Sequence, residues 1–252
     1  PLSIKDRASG REWLVRPAEH PAPCPEVPLP EEPRVIRVTA GHGVFGPTEA
    51  PALRVEVAST GPTLALRTCL QLFDDAPGIQ IQLHADSVKT PAEEARSGPA
   101  SGEGPPSTGI EAPAQEAGTP AGRVDVLEQL ALSPAHLRLT QVTLLDQTDI
   151  RNELLFESEW LLHPNELRLE LSGNLFAIEE LFSGDGLLFL KQAPLPHARP
   201  MHAGPDLRVN GAGRVFHFLG HGAGPGGGEG YPCIILVYRG GATGRTEALQ
   251  AY

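Results

Sequence analysis

The chain has 252 residues, 40% hydrophobic and 20% charged, which suffices for one substantial core and suits a single large β domain. A formal net charge of −11 argues against nucleic acid or an anionic membrane as partner, because such binding rests on clustered Lys and Arg. Cys24, Cys69 and Cys233 are odd in number and widely spaced, so reduced structural thiols are expected rather than a disulfide framework or a zinc site.

No apolar run approaches the roughly 18 residues needed to span a bilayer. No secretory leader is visible from Pro1 onward, and a cytoplasmic location is expected.

From the N-terminus, Leu2 to Val15 predicts two short strands around Ala8-Ser9-Gly10, with Trp13 and Leu14 as core anchors. Pro21 to Pro33 carries six prolines, which withhold ladder donors and favour extended coil. Alternation then predicts strands at Arg34–Thr39, Leu53–Val57, Thr63–Phe73 and Ile79–Leu83. Leu64, Leu66, Leu70 and Leu72 share one parity, as do Ile79, Ile81 and Leu83, so each strand has a core face and a solvated face.

Between residues 91 and 122 the composition turns to Gly, Pro, Ala, Ser and Glu, with Ile110 the sole large aliphatic residue. Such a stretch buries too little apolar surface to offset its ordering entropy, and a disordered surface insertion is expected. Strand-like segments resume at Asp125–Leu132 and Leu137–Asp146.

Leu144 to Pro200 has the densest strand pattern. Leu154, Phe156, Trp160 and Leu162 are apolar at even positions, while Glu153, Glu157 and Glu159 hold the odd ones. His163-Pro164-Asn165 breaks the alternation, and Leu167, Leu169 and Leu171 restart it before the turn signal Ser172-Gly173-Asn174, so the stretch reads as a β-meander. Ser183-Gly184-Asp185-Gly186 turns the chain once more. Leu187 to Leu190 is a continuous apolar run, expected to be covered on both faces. Further strands are expected at Asp206–Asn210, Arg214–Leu219 and Cys233–Tyr238. Residues 243–252 hold helix formers after a possible N-cap at Thr246, which predicts the start of a connecting helix.

Several strings of this region resemble the N-terminal β domain of bacterial α-galactosidases of glycoside hydrolase family 36. They are Asp146-Gln-Thr-Asp149 with Asn152, Glu159-Trp160-Leu161-Leu162, Gly173-Asn174-Leu175-Phe176, and Gly186 through Lys191 to Pro194. The resemblance covers about the last 110 residues, with a weaker echo in Asp6 to Trp13. It implies an all-β fold, a large antiparallel two-sheet sandwich of the galactose-mutarotase-like supersandwich type, over one domain spanning 1–252. The family's catalytic (β/α)8 barrel has no counterpart in this sequence. The resemblance therefore implies a non-catalytic accessory domain of an α-galactosidase-like retaining glycoside hydrolase. Its implied partners are the barrel of the parent chain, galactosides and further copies in a homo-oligomer; neither nucleic acid, membrane nor cofactor is expected. The alternative is a free-standing carbohydrate-binding or mutarotase-like sandwich.

The residues themselves offer no catalytic pair. Retaining glycoside hydrolysis needs two carboxylates about 5 to 5.5 Å apart. Asp74 with Asp75, and Glu179 with Glu180, point to opposite faces of an extended strand. Glu157 and Glu159 share a face, but it is the one expected to be solvated.

His217 and His221 would stand about 13 Å apart on a strand at ~3.3 Å per residue, too far to share a metal. A mutarotase-like acid/base role for His217 or His163 competes with a structural, hydrogen-bonded histidine, which is favoured. Gly222 to Gly227 matches GxGxxG in form, yet a strand rather than a helix follows, so a long hairpin loop is expected. The cluster of Asp146, Asp149 and Asn152 either caps its own turns or, with His197 and Arg199, faces the barrel or its sugar.

Overall fold

The computed structural model describes residues 3–5, 10, 12–14, 34–60, 64–74, 76, 78–87, 128–131, 136–144, 155–163, 165–166, 168–193, 207–219, 223–224 and 227–252. Period-two alternation becomes strands throughout. The N-terminal ribbon pairs β1 (Ser3–Lys5) with β2 (Glu12–Leu14), as the sequence predicts. Next come β3 (Arg34–Phe45), β4 (Thr48–Thr60), β5 (Leu64–Phe73) and β6 (Gly78–Ser87). The middle of the chain supplies β7 (Glu128–Ala131), β8 (Leu137–Leu144), β9 (Leu155–Leu161), β10 (Glu170–Gly173), β11 (Leu175–Glu180) and β12 (Gly186–Lys191). Then follow β13 (Leu207–Asn210), β14 (Arg214–His217), β15 (Ala223–Gly224), β16 (Gly227–Glu229), β17 (Cys233–Tyr238) and the helix α1 (Gly241–Ala251).

These strands form an all-β, antiparallel two-sheet sandwich. The large sheet has eleven strands, in the order β3-β4-β5-β6-β17-β12-β11-β8-β9, with the β15–β16 hairpin attached to β6. The small sheet runs β10-β13-β14-β7. Between them the inner face of the large sheet, with Leu83, Leu139, Phe176, Leu187 and Phe189, meets Leu207, Val209 and Val215 of the small one, and Trp13 joins the same core. On the outer face Ala177, Leu188, Leu236 and Tyr238 are covered by Ala248, Leu249 and Tyr252. The run Leu187 to Leu190 is thus packed from both sides, as its lack of alternation predicts. Each fully buried Leu or Phe contributes about 1.5–3 kcal/mol of transfer free energy, so these two cores dominate the stability.

Three features depart from the sequence expectation. First, β9, β10 and β11 are not a meander. β10 leaves the large sheet and pairs with β13, while β11 returns to lie between β8 and β12. In that layer the apolar side chain of Leu171 packs on the inner core from the side opposite the large sheet. The Gln141 amide spans the layers by donating to the Ser172 carbonyl at 2.9 Å.

Second, β3 and β4 extend past the expected strands Arg34–Thr39 and Leu53–Val57, through Gly41, Gly43 and Pro51. Pro51 costs no bond to β3, because its backbone faces the other way, where its carbonyl accepts from the Asp74 N–H at 2.9 Å beyond the end of β5. Third, α1 begins at Gly241 rather than near Thr246. Gly240 and Gly241 take φ of 81° and 65°, a left-handed turn that glycine enters without Cβ strain. Thr246 sits inside the helix and donates its hydroxyl to the Ala242 carbonyl at 3.0 Å.

Residues 91–122, expected to be an insertion, lie outside the described residues. No helix among the described residues is long and apolar enough to cross a membrane.

Candidate functional site

Chemistry-bearing side chains gather at two places on opposite faces of the large sheet. The inner one grows from β12. Leu187, Phe189 and Lys191 share a parity, so the strand carries Lys191 into the same interior as its apolar neighbours, where it is 1% exposed. Its ammonium donates to the Phe218 carbonyl and to Nε2 of His217, each at 2.7 Å.

Because an ammonium can only donate, His217 accepts through Nε2 and carries its proton on Nδ1. That Nδ1 has no hydrogen-bond partner among the described residues. Burial, and after it the neighbouring Lys191 charge, hold the His217 pKa well below the ordinary histidine range. A buried imidazole held by a hydrogen bond agrees with the structural reading expected for His217.

The outer cluster lies beneath and beside α1. Glu179, the last residue but one of β11, has its side chain on the outer face and is 3% exposed. Arg138 of β8 forms an ion pair with it, and the Tyr238 hydroxyl donates to its Oε2 at 3.3 Å. Arg138 also approaches Glu159 at 3.5 Å. Burial works against the Arg138 charge, but the hydrogen bond and charge of Glu179 outweigh it and raise the pKa further. Burial, then the Glu179 charge, pushes the Tyr238 phenol far above its ordinary range, so it remains protonated and donating. Next to this group, Nη2 of Arg245 meets both oxygens of Glu157 at 3.0 Å.

Glu157 and Glu159 do share the outer face and are exposed, as the alternation predicts. They are not a bare solvated surface, however, because each is drawn onto an arginine. Glu179 and Glu180 diverge as expected: the Glu180 carboxylate turns back to accept from the Ser183 N–H at 2.7 Å. His163 is exposed, and its Nδ1 accepts from the Asn165 N–H at 3.3 Å.

Comparison with protein families, with curated proteins and with solved structures finds no match.

Of the expected site residues, Asp146, Asp149, Asn152, His197 and Arg199 all lie outside the described residues, as does His221. The GxGxxG string falls at the β15–β16 hairpin, where β16 pairs with β6, so no helix follows it. Cys69 and Cys233 are buried. Among the described residues no group of three His, Cys, Asp or Glu side chains is placed to hold a metal ion.

Sequence reasoning did not single out Lys191, Arg138 or Arg245. For Lys191 a signal existed, since it closes an apolar run at the parity of Leu187 and Phe189. For the two arginines there was none, because their partners come from strands and a helix distant in sequence.

Proposed function

We propose that this chain is a non-catalytic accessory domain of an α-galactosidase-like retaining glycoside hydrolase. It packs on a catalytic barrel of the parent protein and supports the oligomer or the wall of the sugar pocket. A cytoplasmic location accompanies this reading. The proposal rests on the motif strings of residues 146–194 together with the antiparallel sandwich that the described residues form.

One observation carries the non-catalytic part. The two same-face acids best placed to act together, Glu157 and Glu159, are engaged by Arg245 and Arg138. A retaining glycosidase needs one carboxylate free to attack and one free to give a proton across the glycosidic bond. Here Arg245 holds both oxygens of Glu157, and Arg138 stands 3.5 Å from one oxygen of Glu159, so the pair is set towards cations rather than towards a glycosidic bond.

The test has two arms. The reading frame downstream of Tyr252 should encode a (β/α)8 barrel, and this chain, produced separately, should co-purify with it. The chain alone should leave an aryl α-galactoside unhydrolysed. Turnover abolished by replacing one of its own acids would overturn the proposal. Galactoside binding by a chain with no barrel downstream would favour the free-standing carbohydrate-binding sandwich instead.

A further inference from the structure

Strand β3 ends one side of the large sheet, and its outer edge has no neighbouring strand among the described residues. The backbone groups that point outward follow from the next strand. Pro51 directs its carbonyl to Asp74 beyond the end of β5, so odd-numbered residues of β4 face β5 and even-numbered ones face β3. Through the register Gly41 to Ala52 and His42 to Pro51, the ladder to β4 uses Thr39, Gly41 and Gly43. The N–H and C=O groups of Val38, Ala40, His42 and Val44 therefore point away from the sheet.

The side chains of these four residues lie on the inner face, at an end that the small sheet leaves uncovered. Val38 is 58% and Val44 64% exposed, and Leu53 and Leu72 extend the same apolar surface. Soluble proteins usually protect such an edge with proline, lysine or a bulge. Here a register shift between Val35 and Arg37 guards only the N-terminal end, and Arg37 to Phe45 contains neither proline nor lysine.

We propose that this edge pairs with the same edge of a second copy of the chain, antiparallel about a two-fold axis through Gly41. The four outward-facing residues are symmetric about Gly41, so every outward donor and acceptor meets its complement. Val38 then lies opposite Val44 of the partner subunit, and Ala40 opposite His42 of the partner subunit. Arg37 comes opposite Phe45 of the partner subunit, so no like charges oppose one another. The two apolar end surfaces join into one face across the junction. Because the operator is a two-fold, the assembly closes at two copies rather than growing into a fibre. This inference stands on strand geometry alone, so its failure and that of the accessory-domain reading are separate events.

The experiment combines sedimentation with a cross-link that reads the register. Wild-type chain should sediment at twice its mass of 26.8 kDa at micromolar concentration. The double variant Val38→Lys, Val44→Lys should sediment as a monomer with unchanged far-UV circular dichroism. A Cβ at Gly41 meets nothing within 4 Å, so Gly41→Cys is tolerated. On the axis, two such residues form a non-hydrogen-bonded pair with Cα atoms about 4.5 Å apart, within disulfide range. Mild oxidation should then convert most Gly41→Cys chain to a covalent dimer, which wild type under the same oxidant does not form. A monomeric wild type, a dimer that survives the two lysines, an open-ended polymer, or a Gly41→Cys variant that fails to cross-link each overturns the proposal.

Discussion

Arg245 of the last helix and Glu157 of the edge strand β9, 88 residues apart in sequence, meet through one guanidinium nitrogen that contacts both carboxylate oxygens at 3.0 Å. The Arg245 side chain is 7% exposed and that of Glu157 38%, so one charge is buried and the other half in water. Removing the carboxylate strands the buried guanidinium. Glu157→Gln should destabilise the fold by about 1–3 kcal/mol, below the cost for a fully buried pair because Glu157 keeps part of its hydration. Arg245→Met, which keeps the packing of the stem and removes the buried charge, should cost less. Denaturant midpoints of the two variants decide this, and equal losses would show that packing, not charge, holds α1.

The Lys191–His217 contact predicts a pH dependence with a definite sign. Unfolded, His217 gains a proton as pH falls below about 6.5. Folded, its pKa lies well below that value because of burial and Lys191. In that window the unfolded state holds more protons, so stability falls as pH drops below about 6.5, by up to about 1.4 kcal/mol per pH unit from this group. His217→Gln retains an acceptor for Lys191 and removes the titration. Measured between pH 7 and 5.5, its stability should fall less than that of wild type; parallel curves would contradict the assignment.

Gly244 inverts the usual helix rule. Replacing an exposed helical glycine by alanine ordinarily gains about 1 kcal/mol. Here a Cβ would overlap the Arg239 carbonyl oxygen, a backbone atom that cannot swing aside. Gly244→Ala should therefore destabilise by about 1–3 kcal/mol through overpacking. Gly41→Ala, whose Cβ meets nothing within 4 Å, should by contrast lose no stability, and thermal melts of both variants test the difference.

Trp160 is partly buried against the inner core, with Leu162 beside it fully packed. Trp160→Ala should lower stability by about 2–3 kcal/mol, at or under the low end for a fully buried aromatic. Galactoside binding, measured on the same variant, should not be the property that is lost. Lost binding with unchanged stability would identify a sugar-stacking ring instead.

Much of the fold was legible because strand parity is local. The two-sided burial of Leu187 to Leu190 follows from a run that breaks the period-two alternation, and Trp13 is buried as its large apolar side chain predicts. The hairpins around Gly184 and Gly211 follow from turn chemistry. The expected sugar-facing cluster around Asp146 and Asn152 was read from a resemblance and not from packing, and it lies outside the described residues.

Sequence alone determined which face of each strand is apolar, since Cβ direction alternates whatever the strand packs against. It could not determine which layer a strand joins. Leu171 carries the same apolar signal whether β10 continues the large sheet or crosses to the small one, and only the shared core decided that. Nor could it show that Lys191 lies beside His217 or that Arg245 lies on Glu157. Those contacts join strands and a helix far apart in the chain, and a charge changes its meaning only when tertiary packing removes the water around it.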